Sequence, residues 1–502
     1  MPLNTEIETA EGWLRGRQYR EFLSWRGIPF AKPPMGQLRF RAPQPVTPWA
    51  GARDALRWGF APPQMKLATM QGVGKYQAMS EDCLTLNVLA PAEPSSKPRP
   101  VMFYIHGGGY LLGSSATLVY GGQSLVERGD VVYVSLNYRL GALGYLDFSQ
   151  FSSHQRQFDS NLGLRDQIAA LEWVQRNIAA FGGDPENVTI FGESAGGNSV
   201  VTLLSTPSAK GLFHQAIAQS ANAGVCYGKE RADKWARIFT DHLGADSEHA
   251  VEALEDTSVH KLGKAGLEFM RDALQADPGT LGYAPVVDGD LLPLAPLDAF
   301  AAGTTHKVPL IIGTNDREAA LFTRFGDDGM PLSVDSINKM FANTQPELLA
   351  HMIGGYSRYP DKRALEDICG DAMFWKPSID CAAGHSAVAP TYSYRYDYST
   401  RLLDVLGMGA THATELIPVF GLADTTFGKA FTTLGGQRGM RGVSHRMQSH
   451  WLGFARDGKP MSTWPQYNPH DRLTMIFKDH DKVVKDPRPH RRLAWEGFRG
   501  YR

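Results

Sequence analysis

Gly192-Glu193-Ser194-Ala195-Gly196 stands between an apolar run, Val188-Thr189-Ile190-Phe191, and a helix-compatible stretch that begins near Asn198. A G-x-S-x-G turn between strand and helix holds its serine in a strained backbone conformation at the strand's end. Glycine two positions to either side lets the two elements approach that closely. Gly192 and Gly196 fill those positions. On five residues alone, an ordinary glycine-rich turn carrying a surface serine reads equally well, so the surroundings decide.

Upstream, His106-Gly107-Gly108-Gly109 follows the apolar run Val101-Met102-Phe103-Tyr104-Ile105. Acyl transfer develops negative charge on a carbonyl oxygen, and backbone N–H groups of a glycine-rich loop can point at that oxygen without side chains in the way. The expected donors are Gly108, Gly109 and Ala195. A phosphate-cradling loop is the competing reading, but no G-x-x-x-x-G-K-[ST] sequence occurs in the chain.

The 502 residues are 43% hydrophobic and 21% charged, an ordinary globular composition that is too apolar for disorder. Lys+Arg of 51 against Asp+Glu of 52 leaves a formal charge of −1, so no field favours nucleic acid or an anionic membrane surface. No apolar run approaches the roughly 18 residues that span a bilayer. Met1-Pro2-Leu3-Asn4-Thr5-Glu6 lacks the basic start and apolar core of a secretory signal. The expectation is a cytoplasmic chain with neither a nucleic-acid nor a membrane partner. Ser95-Ser96-Lys97-Pro98-Arg99-Pro100 reads as a surface loop rather than a linker, which leaves one domain over 1–502. Cys83, Cys226, Cys369 and Cys381 form no C-x-x-C pair and no zinc spacing, so reduced structural thiols are expected, with no metal and no cofactor.

Short apolar runs alternate with amphipathic stretches, the pattern of a mostly parallel sheet covered on both faces by helices. Residues 131–136 read as a buried strand. Residues 167–181 read as a helix, with Ile168, Leu171, Val174 and Ile178 at helical spacing and Gly182-Gly183 as a stop. Asp184-Pro185-Glu186-Asn187 then leads into the strand that delivers Ser194 to its carboxyl end, where ligand sites of open α/β sheets lie.

Further segments carry a resemblance. Gly27-Ile28-Pro29-Phe30-Ala31 with Pro33-Pro34 and Leu38-Arg39-Phe40, then Ser80-Glu81-Asp82-Cys83-Leu84-Thr85-Leu86-Asn87, then Phe181-Gly182-Gly183-Asp184-Pro185 ahead of the serine turn, together resemble the signatures of the type B carboxylesterases. That family is the branch of the α/β-hydrolases that includes cholinesterases and bacterial para-nitrobenzyl esterases. The likeness runs from about Trp25 to about Pro487. It implies the α/β-hydrolase fold, a nucleophile elbow and hydrolysis of small-molecule esters.

A serine hydroxyl needs a positioned base, and the base an acidic partner, before it becomes a nucleophile. In this fold the chain order is serine, acid, histidine. After Ser194, an apolar run at residues 308–312 ends in Gly313-Thr314-Asn315-Asp316-Arg317-Glu318-Ala319-Ala320-Leu321-Phe322, which resembles the family's acid-bearing segment. The alignment favours Glu318 as the acid, with Asp316 as its rival. Arg317 and Ala319 depart from the acidic residue and glycine that commonly flank the family's glutamate. Of fifteen histidines, only His412, in Gly409-Ala410-Thr411-His412-Ala413-Thr414-Glu415-Leu416, resembles the family's histidine loop; His445 and His450 read as ordinary helix-face residues.

The resemblance therefore implies attack by Ser194 on an ester, with His412 as general base and Glu318 as its partner. Glu193 either reaches the histidine or caps the following helix, and the resemblance favours the first. No cysteine precedes Cys83, so the disulfide of secreted relatives has no counterpart, and residues 64–80 lack the tryptophan with which cholinesterases hold quaternary ammonium. Choline esters are not expected substrates. Phe374 and Trp375 lie in a segment that resembles one lining the family's acyl side, although aromatics there are more often plain core. A serine amidase or lipase with the same triad, and a non-catalytic binding module of the same fold, are the alternatives.

Overall fold

The computed structural model describes residues 4–72, 75–324 and 329–501. Eleven strands form one sheet: β1 (Arg17–Gln18), β2 (Phe22–Pro29), β3 (Thr85–Pro91), β4 (Arg99–Ile105), β5 (Val132–Leu136), β6 (Gly183–Glu193), β7 (Gln215–Gln219), β8 (Leu310–Asn315), β9 (Thr391–Tyr396), β10 (Leu473–Phe477) and β11 (Lys482–Lys485). Their order across the sheet is β11-β10-β9-β8-β7-β6-β4-β5-β3-β2-β1. From β5 to β10 every pairing is parallel, and at both edges the strands turn antiparallel.

Helices cover both faces, notably α1 (Leu162–Asn177), α2 (Ala195–Leu204), α3 (Val259–Ala276), α4 (Lys376–His385) and α5 (Gln437–Asp457). A sheet buried on both sides needs strands that are apolar at every position rather than at alternate ones. Along β4, Val101, Phe103 and Ile105 pack into one core layer with Ile190, Val134 and Trp173, while Met102 and Tyr104 pack into the opposite layer with Phe191, Tyr394 and Trp451. A fully buried ion pair, Arg139–Asp166, joins the segment after β5 to α1; Asp166 accepts from Arg139 N at 3.0 Å, Nε at 2.9 Å and Nη2 at 2.7 Å.

Several boundaries differ from the sequence expectation, three of them here for a plain local reason. α1 begins at Leu162 rather than 167, because Asn161 adopts a left-handed conformation (φ 53°) and its amide pairs with Val286 O at 2.8 Å and Asp288 Oδ2 at 2.7 Å, which fixes the helix start. Residues 184–187 belong to β6, whose pairing with β4 shifts register between Gly183 and Val188. β8 starts at Leu310, after Pro309, which has no N–H to offer a ladder, and continues through Gly313 to Asn315 against Tyr394–Tyr396 of β9.

Candidate active site

Four strand ends converge at the carboxyl edge of the sheet. β6 delivers Ser194, β4 the His106–Gly109 loop, β7 Ser220, and β8 the turn bearing Glu318; the loop before Leu416 brings in His412. α2 begins at Ala195, not near Asn198, so Ser194 is itself the residue that caps the helix. It sits at φ 59°, ψ −123°, held by Ser194 N donating to Gln219 O at 2.9 Å and Asn198 N donating to Ser194 O at 2.8 Å. Such a conformation costs of order 1–3 kcal/mol and survives only where the surroundings dictate it. A Cβ on Gly196 would stand 2.0 Å from Ile105 O, and one on Gly192 would stand 2.5 Å from the Gly196 carbonyl, so both flanking glycines are sterically required.

The loop after β4 is shaped by two left-handed glycines, Gly108 (φ 112°) and Gly109 (φ 61°). A Cβ at Gly108 would stand 2.2 Å from Leu112 O, whereas a Cβ at Gly109 would meet nothing within 4 Å. Among the described residues, the N–H groups of Gly108, Gly109 and Ala195 donate to no protein acceptor. Three unengaged donors near one serine suit an oxygen that becomes charged.

Glu318 and His412, 94 positions apart, meet: Glu318 Oε2 lies 2.7 Å from His412 Nδ1. The other carboxylate oxygen, Oε1, accepts from Asn315 N at 2.6 Å and Ser220 Oγ at 2.7 Å. Asp316, the rival acid, turns away to Arg488 at 2.5 Å, with Arg395 at 3.7 Å. Arg488 also reaches Asp371, as does Arg491. The two loops are pinned together by Arg317 N donating to Ala410 O at 2.9 Å and Leu321 N donating to Thr411 Oγ1 at 2.7 Å. Arg317, absent from the expected pattern, sends Nη1 to Gly407 O at 2.6 Å and Nη2 to Glu366 at 2.5 Å.

On the other side of the ring, Glu193 Oε1 stands 3.1 Å from His412 Nε2, but the angle makes no hydrogen bond, and neither atom has another partner. Glu193 thus faces the histidine instead of capping α2. Glu415 completes the set, receiving Asn315 Nδ2 at 2.5 Å. Glu193, Glu318, His412 and Glu415 are all buried. Burial by itself would lower the imidazole pKa, but the charge of Glu193 and the hydrogen bond and charge of Glu318 outweigh it and hold His412 up to about 9. Burial pushes the Glu193 and Glu415 carboxyls up, against the pull of His412.

The other named histidines take no part in this carboxylate cluster. His106 is stacked on Tyr138 at 4.5 Å, and burial pulls it down to about 4. His445 is exposed on α5, while His450, read as an ordinary helix-face residue, is buried against Trp464 and Phe477. Phe374 belongs to a small core cluster and also borders the site: it lies in a π-helical turn, Asp371–Trp375, with its ring 4.5 Å from His412 and Phe322 alongside at 5.2 Å. Trp375 does belong to the core. Sequence reasoning also passed over Ser220 and Glu415. Ser220 carries a signal only in its left-handed backbone (φ 46°), invisible before folding, and Glu415 only in lying three residues beyond His412.

No group of three or more metal-ligating side chains occurs among the described residues, and no helix there is long and apolar enough to cross a membrane. The sequence profile described as "Carboxylesterase family" matches residues 3–495. A para-nitrobenzyl esterase of Bacillus subtilis is 37% identical over 97% of both sequences. Carboxylesterase 1E of Mus musculus is 35% identical over 88% of this chain and 83% of its own. Among solved structures, a PNB esterase superposes with a TM-score of 0.88 at 35% identity, over 98% of this chain and 99% of its own. A carboxylesterase of Geobacillus stearothermophilus does so with a TM-score of 0.85 at 33% identity, over 98% and 100%.

Proposed function

The chain belongs to the carboxylesterase family, and from that premise we propose that Ser194 is its nucleophile, His412 its general base and Glu318 the partner that orients the base. The chain is a serine carboxylesterase of the α/β-hydrolase fold acting on small-molecule esters; the residue roles are our reading. The observation that carries it is the 2.7 Å contact between Glu318 Oε2 and His412 Nδ1. That contact fixes the proton on Nδ1 and leaves Nε2 as the acceptor.

In this reading Nε2 takes the Ser194 proton as Oγ attacks the ester carbonyl, and the oxyanion forms against the N–H groups of Gly108, Gly109 and Ala195. His412 then returns the proton to the departing alcohol. Water, deprotonated by the same ring, releases the carboxylate from Ser194. Glu193 stabilises the imidazolium through space. We read 1–502 as one domain and the compartment as cytoplasmic; four buried free cysteines among the described residues support a reducing environment.

Reaction with a fluorophosphonate followed by peptide mass spectrometry tests the assignment. One adduct on Ser194, lost in Ser194→Ala, is expected. An adduct on another serine, or none, would overturn it.

A further inference from the structure

A cavity of about 850 Å³ opens between the segment around Met65, the amino-terminal half of α3 and the loop that follows Gly109. Neither Ser194, Glu318 nor His412 lines it. Its size falls in the upper part of the range of about 300–1,000 Å³ typical of small-molecule sites. The floor is aliphatic, with Leu111, Leu140, Leu143 and Leu262. Three methionines stand at the mouth, and each is unusually exposed for its type: Met35 48%, Met65 47% and Met79 39%. Methionine is flexible and polarisable, so such a rim adapts to an alkyl chain, and apolar surface gathered in one place marks a binding region.

The charge at this cavity has one free sign. Its ionisable lining groups are Lys66, His260, Lys264, Glu81 and the Tyr283 phenol. Glu81 is already neutralised, since Arg39 donates from Nε to Oε1 at 2.7 Å and from Nη2 to Oε2 at 2.8 Å. The same guanidinium reaches Glu255 O and Thr257 O at 2.9 Å, which anchors the approach to α3 and keeps the wall in place without a ligand. His260 and Lys264 lie one turn apart on α3, and both they and Lys66 are exposed.

We propose that this cavity is a second, non-catalytic site for alkyl carboxylates, the class of product that hydrolysis of an aliphatic ester releases, with the chain along the leucine and methionine wall and the carboxylate against Lys66, His260 and Lys264. The site bears on turnover through its wall. Leu111 lies two residues beyond Gly109, and Gln64 clamps the end of the same loop by donating from Nε2 to Gly113 O at 2.7 Å and accepting from Gly113 N at 2.8 Å. The inference rests on the cavity and its charges and not on the assignment of the nucleophile.

The test uses decanoate and decyltrimethylammonium, titrated calorimetrically below their micelle concentrations into the full chain carrying Ser194→Ala, which hydrolyses neither ligand whatever its nucleophile. Gly263→Trp fills the cavity from an exposed helix position where a Cβ meets nothing within 4 Å, and Lys66→Glu with Lys264→Glu reverses the charge. Saturable decanoate binding is expected, weaker by about tenfold in either variant, with decyltrimethylammonium binding at least about tenfold more weakly. In the chain with Ser194 intact, decanoate should inhibit short-ester hydrolysis in a mixed rather than a competitive manner, and Gly263→Trp should remove the non-competitive part. Equal binding of the cation, affinity unmoved by both variants, or purely competitive inhibition would overturn the proposal. Failure of the triad assignment would show separately, in the fluorophosphonate adduct.

Discussion

Replacing Glu318 with Gln tests the proposed relay most directly, because the two ends of the side chain meet different partners. Oε1 accepts from Asn315 N at 2.6 Å and Ser220 Oγ at 2.7 Å, while Oε2 faces His412 Nδ1 at 2.7 Å. A glutamine fits the same space but carries one acceptor end and one donor end. The Asn315 backbone N–H can only donate, so the amide oxygen takes the Oε1 position and the NH₂ is turned toward His412. The ring responds by accepting at Nδ1, which moves its proton to Nε2 and blocks the atom that must receive the Ser194 proton. Recovering the working tautomer means flipping the amide against two buried donors. At about 1–3 kcal/mol for each buried group left unpaired, the cost is about 2–6 kcal/mol, or roughly 30-fold to 20,000-fold in kcat/KM. The upper end matches the loss of about 10⁴ that follows the equivalent carboxylate-to-amide change in another serine hydrolase. The assay is hydrolysis of a short-chain aryl ester at fixed alkaline pH, with unfolding curves to show that the variant is folded. A loss below tenfold in a folded variant would refute the reasoning.

Ser194→Ala should reduce kcat by roughly 10⁵-fold or more without changing the unfolding transition, as steady-state and calorimetric measurements will show. With His412 held up to about 9, and only the neutral ring able to accept a proton, kcat/KM should climb with pH through the alkaline range. Glu193→Gln removes a charge that raises the ring, so the acidic limb of the pH–rate profile should move to lower pH; an unmoved limb would exclude electrostatic support from Glu193. Gly196→Ala drives a methyl into Ile105 O, 2.0 Å away, and should lower both thermal midpoint and turnover. Asp166→Ala strands the buried Arg139 guanidinium and should cost about 3–5 kcal/mol in chemical denaturation.

The parts of this molecule legible in its sequence are those set by neighbours along the chain. Gly192 and Gly196 announce the elbow because a Cβ at either collides with main chain a few ångströms away, and residues 101–105 announce a doubly covered strand because every position is buried. Beyond the Glu318–His412 pair that the resemblance supplied, contributions that depend on distant segments meeting were illegible. Ser220 serves a carboxylate 98 positions downstream, and Glu415 is bound by Asn315, 100 positions upstream. No periodicity or local motif encodes such a meeting. The resemblance put Phe374 in a segment of the acyl side, but only the folded π-helical turn shows its ring against His412. The helix starts at Leu162 and Ala195 were missed because each is set by a left-handed residue immediately before it, Asn161 and Ser194.

The arginine pair late in the chain has a temporal implication. Arg488 and Arg491 grip Asp316 and Asp371, which flank the turn that carries Glu318 and the turn that carries Phe374. During synthesis the serine, acid and histidine all leave the ribosome well before those two guanidiniums do. A nascent polypeptide halted short of residue 488 would hold every reacting group yet leave Asp371 without either guanidinium and Asp316 with the more distant Arg395 and Arg363, and it should stay silent toward esters until Arg488 and Arg491 dock.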